Sequence, residues 1–94
     1  MTTVIDAQKI IERLWQRLQA SLSQGDLRAK RDTALAAYEE LRAIAEIRRS
    51  SATPPDVMAC FVEALEKIQR LHEAYHQELQ YTLEWASSRD FEND

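Results

Sequence analysis

Glycine, proline and cysteine are nearly missing from this chain of 94 residues, which holds one Gly, two Pro and one Cys. So little punctuation excludes a fold built from many strands and tight turns, and suits a few long helices joined by short connections. A single cysteine, Cys60, excludes an intrachain disulfide. It reads as a small core residue in a reducing compartment. No apolar run approaches the ~18 residues of a membrane span, and the first residues lack the basic start and apolar stretch of an export leader. Membrane insertion is therefore not expected, and a cytoplasmic location is. There is no Gly-rich phosphate loop, no internal repeat and no readable nucleophile–base pair, so no enzymatic activity and no cofactor are expected.

What is present is a globular composition, 45% apolar and 30% charged, which excludes a disordered chain. The net charge is −4, and a surplus of acid argues against nucleic-acid binding. The charge is unevenly placed. Residues 1–50 carry nine Lys/Arg against seven Asp/Glu, and residues 51–94 carry three against nine. The two halves are expected to attract when the helices pack, with residues 88–94 as an acidic tail. The basic run Arg28, Lys30, Arg31 is flanked by Asp26 and Asp32 and reads as a solvated helix face, with Arg31 available to an acid on the third helix.

Hydrophobic spacing predicts one domain, residues 1–94, with helices over about 4–23, 27–49 and 54–87. The first has Val4, Ala7, Ile11, Leu14 and Leu18 at intervals of three and four, widened by Ile10 and Trp15. Gly25 suits a left-handed helix end, and Asp26 is placed to cap the second helix. That helix turns Ala34, Leu35, Tyr38, Leu41 and Ala45 inward, with Ile44 and Ile47 beside them. Thr53 with Asp56 resembles a capping box, with Pro54 at the first helical position. The third helix meets no stop before Ser87-Ser88. Its stripe is Met58, Phe61, Leu65, Ile68, His72, Tyr75 and Leu79, a heptad-like seam flanked by Val57, Ala64 and Leu71. Trp15, Tyr38 and Phe61 are expected in the core. The fold class is all-α, an antiparallel three-helix bundle with a long third helix. At ~1.5 Å per residue the helices measure roughly 30, 35 and 50 Å, so about ten residues of the third outrun the others. Leu79, Tyr81, Leu83 and Trp85 fall on that overhang, and apolar side chains left in water mark a docking site or a dimer seam.

One motif carries possible chemistry. His72-Glu73-Ala74-Tyr75-His76 has the H-E-x-x-H spacing, in which two histidines one turn apart grip zinc. A third ligand is wanting, because Leu79 and Thr82 stand where the extended motif has Gly and His. Glu73 and His76 also make half of a di-iron carboxylate site. A ferritin-like homodimer would complete it with a glutamate from the second helix, Glu39 or Glu40. The plainer expectation is no metal, with His72 in the seam and His76 near the surface.

The layout resembles the flagellar FliT-type export chaperones. An amphipathic helix ends in a polar turn, Ser23-Gln24-Gly25-Asp26. A second helix leads to a Pro-Pro break, Thr53-Pro54-Pro55-Asp56. A longer Glu- and Gln-rich helix comes next, through Glu78-Leu79-Gln80. The resemblance covers roughly residues 10–86. It implies a small cytoplasmic helical protein that shields an exported flagellar or type III secretion subunit before assembly. Such chaperones often carry a further helix that folds over the binding surface; here that place is taken by Arg89–Asp94, and self-inhibition is not expected. For a groove that takes a client's amphipathic helix, the expected contacts are Leu71, Tyr75, Leu79, Leu83 and Trp85. A structural homodimer, including an accessory protein that inhibits another factor, is the remaining alternative.

Overall fold

The computed structural model describes residues 3–92, and the side chains of residues 3–86. Three helices occur in order: α1 Val4–Leu22, α2 Leu27–Ser50 and α3 Pro55–Glu92. They form the expected three-helix bundle with a long third helix. Successive helices run antiparallel, so α1 and α3 point the same way.

Each helix begins on a side chain or carbonyl that satisfies its free amides. Thr3 and Asp6 form a complete capping box at α1: the Thr3 hydroxyl accepts from the Asp6 amide at 3.2 Å, and the Asp6 carboxylate accepts from the Thr3 amide at 3.1 Å. The Thr3 amide, and after it the Thr3 hydroxyl, holds the Asp6 carboxyl below its ordinary value of 3.8. Gly25 adopts φ +99° as the chain leaves α1, and Asp26 caps α2 by accepting from the Ala29 amide at 2.9 Å. Both residues take the roles expected of them.

The second connection departs from expectation. Thr53 does not cap α3, because its hydroxyl donates back to the Arg48 carbonyl at the end of α2. The Pro54 carbonyl instead accepts from the Val57 and Met58 amides, each at 3.1 Å, and Pro55 takes the first helical position. The left-handed residue here is Ala52, at φ 56°. At the other end, α3 does not stop at Ser87-Ser88 but continues to Glu92, through most of the expected tail. Serine only weakens a helix, and extending a formed helix carries no nucleation cost.

The core joins Ala7, Leu14 and Leu18 of α1, Ala37, Leu41 and Ala45 of α2, and Val57, Phe61 and Ile68 of α3. α2 and α3 are the most closely packed pair. Alanines 34, 37 and 45 on α2 permit that approach, leaving Leu41 to fill the gap with Phe61. Phe61 is buried as expected, whereas Trp15 and Tyr38 are half-buried. Leu35 does not belong to the inner face; it is 39% exposed, and Ala37 takes the inward position. Ile47 likewise points out, at 64%. The reason is angular: on a 3.6-residue helix, Leu35 lies about 120° from Leu41, outside the buried arc.

Among the described residues, no ion pair joins the two halves. Among the described residues, Arg17 meets Glu40 at 2.7 Å between α1 and α2, and Arg31 meets its neighbour Asp32 at 3.0 Å rather than an acid on α3. Between the two halves, the Lys67 ammonium lies 4.4 Å above the Trp15 ring.

Candidate functional site

The molecule measures 64 × 22 × 15 Å, a rod rather than a globule. Its length is that of α3, whose 38 residues span about 57 Å. α2 has 24 residues and folds back along α3 from the Ser51–Pro54 turn. Counting from that turn, α2 is exhausted opposite residue 78 of α3. The rest of α3, residues 79–92, runs on past α2 as an arm of about 20 Å.

The arm is apolar at alternate positions, Leu79, Tyr81, Leu83 and Trp85. At about 100° per residue, this period of two throws successive side chains to opposite sides of the helix. Leu79 and Leu83 fall on one flank, Tyr81 and Trp85 on the other. Tyr81 is 70% exposed, Leu83 49% and Trp85 55%. Thr82 lies between the flanks, its hydroxyl donating to the Glu78 carbonyl at 2.9 Å.

The five residues expected to bind a partner are therefore divided. Leu71 packs against the core, and Tyr75 is half-buried beside it. Leu79 is half-buried where the bundle ends. Leu83 and Trp85 are on the arm but about 160° apart around the helix. One side of a partner helix cannot touch all five.

Two stripes, rather than one, run along α3. Val57, Phe61, Ala64, Ile68, Leu71 and Tyr75 face the core at four-three spacing, and the first, second and fourth are fully buried. A second stripe repeats the spacing one position on. It starts with Met58, Val62 and Leu65, passes through Gln69, His72 and His76, and ends with Leu79 and Leu83. All of these are half-buried or exposed. The α1-facing side of α3 is marked by Cys60, Glu63 and Lys67, which line an open cleft of about 330 Å³ with Ile11 and Trp15. The second stripe lies on the other side, along the groove between α2 and α3. The expected seam crosses between the two, because intervals of three and four fit either.

His72 and His76 stack in this second stripe, with ring centroids 6.0 Å apart and planes 14° from parallel. Glu73 is exposed and accepts from the Gln69 amide nitrogen at 3.5 Å. Glu40, one of the two glutamates expected to complete a di-iron site, is engaged by Arg17. No group of three or more His, Cys, Asp or Glu among the described residues is placed to hold a metal ion. No helix among them is long and apolar enough to cross a membrane. No family model, no curated protein and no solved structure matches the chain.

Proposed function

We propose that this chain is a protein-binding module, and that it serves as a cytoplasmic export chaperone which shields an amphipathic helix of a flagellar or type III secretion subunit. One observation carries the reading: the arm of α3 leaves the bundle with Tyr81, Leu83 and Trp85 in solvent. A rod-like helix with large apolar side chains outside any core is unfavourable in water unless a partner covers it. Tyr and Trp contribute wide contact area with few rotors, which suits a docking surface. Glu78 and Glu84 border the arm with negative charge, which favours a client flanked by basic residues and disfavours nucleic acid. A short surface of this kind also suits reversible holding, because a chaperone must release its client at the export gate.

The test is a titration of the full chain with a peptide spanning an amphipathic helix of a flagellar filament-cap subunit. In a Trp15→Phe background, the emission of Trp85 reads the arm alone. It should shift to the blue and saturate at one peptide per chain, and Tyr81→Glu should weaken the interaction about tenfold or more. Unchanged emission and no detectable heat with helices from flagellar and secreted subunits alike would remove the chaperone reading.

A further inference from the structure

The second stripe of α3 has a symmetry that the bundle does not use. Its lower end is apolar (Met58, Val62, Leu65), its middle polar (Gln69, His72, His76) and its upper end apolar again (Leu79, Leu83). Val62 in the lower part is 48% exposed and Leu83 at the upper end 49%. A helix patterned this way is complementary to its own reverse.

We infer that a second copy of this chain docks on this stripe, with the two α3 helices antiparallel about a two-fold axis near residues 69–72. One register sets the apolar ends against each other and leaves Leu65 beside a histidine. Met58 meets the partner's Leu83, Val62 the partner's Leu79, Leu65 the partner's His76, and Gln69 the partner's His72. The two-fold repeats each pair, so the contact is isologous and closed. The apolar ends pair with apolar ends, and the polar centre fixes the register, as single polar layers do in helical pairs.

Charge suits a second copy as the occupant. Beyond the stripe, the outer edge of α3 carries exposed Glu66, Glu73 and Glu84. Across the groove, the edge of α2 turned away from α1 carries Arg28, Arg31, Arg42 and Arg49 with one acid, Glu46, and Arg31 is also paired with Asp32. The partner's α3, lying in the groove, presents its acidic edge to these arginines. In the antiparallel register its Glu66 stands level with Arg31 and its Glu84 with Arg49, while its Glu73 falls level with Ala37. The antiparallel pairing also lays each arm over the base of the other bundle, which removes Leu79 and Leu83 from water. Tyr81 and Trp85 lie on the opposite flank and remain outside. The pairing thus takes Leu83 from the surface on which the client reading rests and leaves Tyr81 and Trp85 to it.

The experiment is sedimentation equilibrium on the full chain, with circular dichroism to verify the fold. The wild type should sediment at twice its 10.9 kDa. Val62→Glu and Leu83→Glu, both at exposed positions, should keep the helical signal and raise the dimer dissociation constant about a hundredfold or more, since each places two buried charges in one interface. Trp85→Asp should leave the dimer intact. Oxidative cross-linking reads the register. In a Cys60→Ser background, Val62→Cys alone should give no disulfide-linked dimer, and Val62→Cys with Leu79→Cys should give one in high yield. A monomeric wild type, a dimer indifferent to Val62→Glu, a dimer broken by Trp85→Asp, or efficient cross-linking of Val62→Cys alone would each overturn the pairing.

Discussion

Residues 57–75 and residues 79–86 belong to one helix, but they meet different surroundings. The lower stretch repeats apolar residues at intervals of three and four, and that spacing gathers them on one side, where α1 and α2 cover them. The arm repeats them at intervals of two, Leu79, Tyr81, Leu83 and Trp85. On a helix this spreads apolar surface around the axis, so no single neighbour can hide it. Composition is much the same in the two stretches. Spacing decides which side chains become core and which become surface.

The comparison is broken most severely from the lower stretch. Phe61 is fully buried against Leu41 and Ile68, so Phe61→Ala should cost about 3–5 kcal/mol in urea unfolding, close to the whole stability of so small a domain. Leu83→Ala on the arm, measured below the concentration at which chains associate, should change stability by less than ~0.5 kcal/mol. Equal effects at the two positions would mean that the arm is part of the core.

The turns offer a second, smaller contrast. Gly25→Ala should destabilise by about 1–2 kcal/mol: its φ of +99° is hostile to a side chain, and the new Cβ would stand 3.0 Å from the Ala29 Cβ. Ala52→Gly should do the opposite, stabilising by roughly 0.5–1 kcal/mol, because Ala52 already occupies the left-handed region at φ 56°. Thermal midpoints of the two variants should move in opposite directions from the wild type.

The smallest effect concerns the α1 cap. The folded-state pKa of Asp6 is lowered by the Thr3 amide and hydroxyl, so its carboxylate contributes stability that is present above the ordinary value of 3.8 and lost as pH falls through the lowered one. Asp6→Asn should therefore lower the midpoint slightly near neutral pH, and the difference should close in strong acid. A difference that grew on acidification would contradict the capping geometry.

These positions also show how far the sequence can be read. Three helices, the Gly25–Asp26 turn and the overhang are legible from punctuation and period, since a chain with a single Gly has few places to turn. The pattern Thr-x-x-Asp occurs at Thr3–Asp6 and at Thr53–Asp56, and only the first is a capping box. At the second, a proline carbonyl and the end of α2 compete for the same groups, a choice made by tertiary geometry. Ala52 carries no mark of its left-handed backbone. The two stripes of α3 merge into one in the sequence because a 3–4 spacing cannot say which neighbour a face meets. The candidate site is legible as a region and not as a surface: Leu83 and Trp85 are close in sequence but on different flanks.

The central claim, that α3 outlasts its companions and carries an uncovered arm, is tested most directly by amide hydrogen exchange along that helix. The Val62→Glu variant is the suitable sample, because association through the second stripe would mask the arm. The account predicts that amides of residues 57–75 exchange only through global unfolding, while those of residues 80–86 exchange orders of magnitude faster through local fraying. Protection of residues 80–86 equal to that of residues 57–75 in this monomer would contradict it.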